Sequence, residues 1–134
     1  MALDLERIMF LLQRRLNGMQ EMKRLTGELL ESASRNDQIS LGLLLQMRAD
    51  EMARIEAAGE RIWLMAEQGP EEAEQVKRLM SQEFLSTGEP KTLEERKIFE
   101  IRSKTVLLLK EVREADRHLN QRIGGGRSYY ASNK

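Results

Sequence analysis

The chain has 134 residues, 40% of them hydrophobic and 33% charged, and its 22 basic and 22 acidic side chains balance to a formal net charge of zero. That length suits one domain with one modest core, and the absence of cysteine excludes a disulfide framework or a thiolate metal site while allowing a reducing compartment. No apolar run, Ile8–Leu12 and Leu41–Leu45 included, exceeds five residues; a membrane span needs about 20, so no membrane insertion is expected.

The opening Met1-Ala2-Leu3-Asp4-Leu5-Glu6 lacks the basic segment and apolar core of a secretory signal. From there Leu5, Met9, Leu12, Leu16 and Met19 advance in alternating steps of four and three, and Ile8, Leu11, Met22, Leu25 and Leu29 form a second stripe. This spacing predicts a helix from Asp4 to Ala33 with two buried sides. Ser34-Arg35-Asn36-Asp37 interrupts it with residues that favour caps and turns. A second helix follows through Leu41, Leu45, Met52, Ile55, Ile62 and Ala66 and stops at Gly69-Pro70. Pro70 and the acidic residues after it open a short third helix, which carries Val76, Leu79, Met80 and Phe84 and runs to Leu85.

Ser86-Thr87-Gly88-Glu89-Pro90 reads as a loop, and Thr92-Leu93-Glu94-Glu95 fits a capping box. The last helix has the most regular stripe, Ile98, Ile101, Thr105, Leu108, Val112, Ala115 and Leu119, and ends at Gly124-Gly125-Gly126. The fold class is therefore all-α: an elongated antiparallel bundle of three long helices and one short one, occupying residues 1–123, with a C-terminal tail at 124–134. With only three Val, three Phe, two Tyr and one Trp, there is too little β-forming material for a sheet.

No catalytic chemistry or cofactor is expected. The one histidine, His118, shares a helix side with Glu114 and Glu111 but sits beside the apolar stripe, and the paired Glu-x-x-His elements of a di-metal bundle are missing. Gly124-Gly125-Gly126 follows a helix rather than a strand, so it is not a phosphate cradle. Residues 92–134 are mildly basic and 34–91 mildly acidic, but the signs interleave too closely for a surface that tracks phosphates, and nucleic acid is not expected as a partner. Eight methionines, most on or beside the stripes, suit an irregular core or an adaptable groove. Gly18, Gly27, Gly42 and Gly59 interrupt the first two helices, each at up to about 1 kcal/mol relative to alanine. Trp63, one turn after Gly59, is a core anchor or a docking ring.

Arg35-Asn36-Asp37 followed by Leu41, Leu44-Leu45, Met47-Arg48, Met52 and Ile55 resembles the second helix of the FlgN/FliT-type flagellar export chaperones. The last helix from Glu111 to Ile123, with a polar, tyrosine-bearing segment after it, is similar to their C-terminal arrangement. The resemblance implies a cytoplasmic chaperone of type III secretion that binds an amphipathic terminal segment of a flagellar hook-associated or filament-cap subunit before export. Its implied partner-binding surface combines Ile101, Leu108, Val112 and Leu119 of the last helix with Met52, Ile55 and Trp63 of the second. The rival reading is a structural or adaptor bundle, because the heptad-like run Ile98–Leu119 would serve equally well for coiled-coil homodimerisation.

Overall fold

The computed structural model describes residues 3–124 of the chain, all-α with no strand among them. Five helices follow in order: α1 (Leu5–Ser34), α2 (Gln38–Leu64), α3 (Pro70–Leu79), α4 (Gln82–Ser86) and α5 (Leu93–Gly124), with a 3-10 turn at Met65–Gln68 between α2 and α3. The expected tail lies outside the described residues from 125 onward.

Local chemistry sets the boundaries. The Asp4 carboxylate accepts the Arg7 amide at 3.0 Å and starts α1. α1 stops where Asn36 takes a left-handed φ of 55°. Asp37 then caps α2, accepting the Ser40 amide at 3.1 Å and its hydroxyl at 2.6 Å. Pro70 occupies the first turn of α3, where its missing N–H costs nothing. Instead of one short helix running to Leu85 there are two, because the Ser81 hydroxyl accepts the Phe84 amide at 3.1 Å and starts α4 afresh. At α5, Thr92 accepts the Glu95 amide at 3.1 Å, while the Glu95 carboxylate reaches one residue further back than in the usual box, to the Lys91 amide at 3.1 Å.

α1 is the axis of the bundle. It packs along its length against both α2 and α5, which touch each other far less. Three apolar clusters mark the packing: Ile8 with Ile62 and Ile98, then Met19 and Met22 with Ile55 and Val112, then Leu29 with Leu41 and Leu119. The order along each helix makes α2 antiparallel to α1 and α5 parallel to it. α3 and α4 close the end of the bundle near the start of α1, burying Val76, Leu79 and Phe84 against Ile8, Leu11 and Ile98. One polar clamp joins α2 to α5 directly. The buried Arg48 guanidinium donates to both Asp116 carboxylate oxygens, at 2.7 and 3.2 Å.

α1 and α2 approach most tightly at Gly18, where an added Cβ would stand 2.5 Å from Cγ1 of the buried Ile55. Ile55 is β-branched and has little freedom to move aside. Gly18→Ala is therefore expected to lower stability by about 1 kcal/mol or more, the clash outweighing the roughly 1 kcal/mol that alanine gains over glycine in a helix. An added methyl at Gly27 or Gly42 meets nothing within 4 Å, so alanine there is expected to raise stability by about 0.5–1 kcal/mol. Urea unfolding of the three variants checks each sign.

The start of α5 gives a pH prediction. Burial alone would raise the Glu95 carboxyl, but the Arg78 guanidinium and the Lys91 amide together hold it below its ordinary 4.5. The stabilisation is complete above that value and is lost as pH falls through it. Thermal midpoints measured from pH 7 down to pH 3 are expected to drop less steeply in Glu95→Gln than in the wild type.

A candidate partner-binding trench between α2 and α5

Because α2 and α5 both lean on α1, they leave a furrow between them. It has a volume of about 430 Å³ and is lined by Arg15 and Met19 of α1, by Met52, Ile55, Glu56, Gly59 and Glu60 of α2, and by Thr105 and Leu109 of α5. Its surface is mainly apolar. Ile55 and Met19 are buried and form its floor, whereas Met52 is 37% exposed on the α2 wall. On the opposite wall the Thr105 hydroxyl donates to the Ile101 carbonyl at 2.9 Å, which satisfies the side chain's one donor within its own helix.

The α5 wall follows a seven-residue rhythm. Arg102, Leu109 and Asp116 fall on the flank turned toward α2. Arg102 donates to the Leu79 and Ser81 carbonyls at 2.6 and 2.8 Å, tying α5 to the end of α3. Asp116 holds Arg48 of α2. Leu109 lies midway between these two polar clamps, which are about 21 Å apart along α5 at the usual helical rise. A guest helix of about four turns fits that length.

Arg15, at the Arg102 end, has no carboxylate within ion-pair distance among the described residues, and its buried Nε has no acceptor among them. Burial lowers the pKa of both arginines, and the charge of Arg15 adds to the lowering at Arg102. Gly59 faces the Arg15 guanidinium, with an added Cβ falling 3.7 Å from its Cζ.

Two other openings are less suited to a partner. The one beside α3 and α4, about 530 Å³, is lined by Lys77, Arg78, Phe84, Glu89 and Lys91 among others. Its principal cation is already engaged, since Arg78 pairs with Glu95 at 2.9 Å and stacks over Phe84 at 5.3 Å. A dent of about 170 Å³ between Arg14, Arg54 and Arg61 is too small to seat a helix. Among the described residues no group of three His, Cys, Asp or Glu side chains could hold a metal, and no helix is long and apolar enough to cross a membrane. His118 stands at the surface, 3.7 Å from Glu114.

The residues singled out in the sequence divide between trench and core. Met52 and Ile55 line the trench. Trp63 is 46% exposed and lies one turn beyond Gly59, on the same side of α2 but outside the trench lining. Val112 and Leu119 are 3% and 2% exposed and belong to the core, where they face α1. Leu108 and Leu109 both pack against the Met19–Val112 cluster and Ile101 against the one around Ile98, but of the three only Leu109 lines the opening. The α5 wall consists instead of Thr105 and Leu109, one turn apart, with Arg15 at the end. Leu109 had a visible signal: it is an apolar residue on the flank of the stripe, seven positions from each of two charged residues.

These placements separate two substitutions of the same kind. Val112→Asp buries a carboxylate without a partner and is expected to unfold the bundle or cost about 3 kcal/mol or more. Leu109 is half-buried where it packs against the Met19–Val112 cluster but borders the opening, so Leu109→Asp can turn its charge toward water and is expected to keep the wild-type helical circular dichroism, with a loss of about 1–2 kcal/mol. Chemical melts of the pair test the assignment of core and wall. No protein-family model, curated protein or solved structure matches the chain.

Proposed function

We propose that this chain is a helix-binding protein that shelters an amphipathic segment of another polypeptide in the trench between α2 and α5. By its resemblance to FlgN/FliT-type proteins, it acts as a cytoplasmic export chaperone for a flagellar hook-associated or filament-cap subunit. The observation that carries the reading is an apolar furrow left open between two long helices and bounded at each end by a polar clamp. Apolar side chains of a guest helix entering it remove Met52 and Leu109 from water, at about 25 cal/mol for each Å² of apolar surface covered. The thioether of Met52 and the exposed floor edge adapt to side chains of different shape, which suits a chaperone with more than one client segment.

Trp63 is the chain's one tryptophan and lies on the trench side of α2, so it serves as an intrinsic reporter. Titration with synthetic peptides spanning the terminal helices of hook-associated and filament-cap subunits is expected to give a saturable change in its fluorescence. Leu109→Asp, still folded, is expected to weaken that binding at least tenfold. Full affinity in Leu109→Asp, or no titration with any such peptide, overturns the proposal.

One observation favours the adaptor reading. Ile39, Leu43 and Met47, spaced four residues apart on α2, are 79%, 64% and 46% exposed and form an uncovered ridge away from α5. Under that reading the chain self-associates through this ridge. Light scattering over a concentration series is then expected to show a dimer that Leu43→Glu converts to monomer.

A further inference from the structure

We propose that the trench is selective as well as apolar: its guest helix carries an aspartate or glutamate that pairs with Arg15, one turn from the apolar side chain that covers Met19. The inference rests on the trench being a helix-binding site and assigns the chemistry of what it binds.

Four observations converge on Arg15. Its guanidinium lines the trench, partly withdrawn from water, and among the described residues it has no carboxylate in ion-pair range and no acceptor for its buried Nε. Glu56 and Glu60 line the same opening, yet neither approaches it closely enough to pair. The neighbouring cation, Arg102, is already committed to the Leu79 and Ser81 carbonyls, which leaves Arg15 as the cation in the trench lining with donors to spare. At Gly59 an added Cβ would rest in van der Waals contact with the guanidinium, 3.7 Å from Cζ, so a long side chain there would lie over it. A half-buried arginine without a counter-ion is unfavourable in a free monomer, and a carboxylate arriving with a partner supplies the fork geometry that a guanidinium matches best.

The register follows from α1. Arg15 and Met19 are one helical turn apart. A guest lying along α1 in either direction therefore places its acidic and apolar side chains three or four residues apart.

The test is a displayed library of amphipathic helical peptides of about 15 residues, the length that fills the space between the clamps. The library is randomised on one face and selected in parallel against the wild type, Arg15→Met and Gly59→Leu. Wild-type binders are expected to be enriched at least tenfold for Asp or Glu at one position, three or four residues from a Leu, Ile or Met. That enrichment is expected to vanish with Arg15→Met and with Gly59→Leu, which covers the guanidinium from the opposite wall. Arg15→Met removes one of two neighbouring cations and should melt no lower than the wild type; the Gly59 variant leaves Arg15 itself in place. Binders recovered without an acidic preference, or with the same preference in Arg15→Met, overturn the Arg15 inference and leave the trench standing. Failure to recover any binder against the wild type overturns the trench and the inference together.

Discussion

α1 has two apolar sides, and both must be covered. Ile8, Leu11, Met22, Leu25 and Leu29 on one side and Leu12, Leu16 and Met19 on the other are all buried, so no single neighbour could hide them. α2 returns antiparallel over one side, and α5 runs parallel over the other. Two helices placed on different sides of a third meet each other only where their own side chains are long enough to span the angle between them. Arg48 and Asp116 do so as a charged pair, and Ile55 and Val112 meet through the floor cluster. Between the clamps the α2 flank offers glycine and flexible methionine, and the walls do not close. The trench is the geometric remainder of covering α1.

The end of the bundle carrying α3 and α4 determines where that remainder stops. A link from the end of α2 to the start of α5 must turn the chain back on itself, and α3 and α4 do this while covering Ile8, Leu11 and Ile98. Their own irregularity is held by arginines. Arg78 joins Glu95, the Glu89 carbonyl and the Phe84 ring, and Arg102 holds the carbonyls at the end of α3. The Phe84 and Phe99 rings meet edge to face at 5.9 Å beneath them. At this end both arginines are engaged. The open face, by contrast, contains Arg15, without a partner among the described residues, only one turn from a methionine floor. Polar satisfaction is therefore uneven across one small molecule: of the two buried side-chain atoms without a partner among the described residues, Arg15 Nε lies at the cavity and Asn120 Oδ1 lies away from it, near the end of α5.

Much of the architecture was legible in the sequence because it is written in local chemistry. Asp4, Asp37, Pro70 and Thr92 announce helix starts through side chains that satisfy orphan amides or need none, and the two stripes of α1 state that it is covered twice. The division of α3 from α4 was less legible, since a single serine hydroxyl decides it. The site was harder for a different reason. A stripe as regular as Ile98–Leu119 marks the side of α5 pressed onto α1, so its most regular members, Val112 and Leu119, are the most buried. Residues that line a furrow sit one step off such a stripe. Which flank opens depends on where the third helix lies, and that is a tertiary fact no window of sequence contains. The spacing of Leu109 could single it out as a flank residue, but that this flank opens, and that Arg15 faces it, shows only once α2 and α5 have been placed on α1.

The state of the trench in the free chain bears on whether it is a packing flaw or a working surface. A leucine at position 59 would favour the helix by several tenths of a kcal/mol or more over glycine and would cover the apolar wall and the Arg15 stem together. A methionine or glutamine in place of Arg15 would remove a like-charge neighbour from Arg102 without losing the aliphatic contacts of the stem. Both changes are single substitutions of ordinary size, and each would raise the stability of a solitary bundle. The sequence forgoes them at adjoining positions on two different helices, and in the direction that keeps one cation uncovered beside an apolar floor. Stability foregone in a concentrated spot is characteristic of residues that complete their interactions only with a second molecule. Elsewhere the chain tolerates Gly27 and Gly42 with nothing opposite them, so glycine in a helix is not by itself a mark of function. Gly59 differs because of what it leaves exposed.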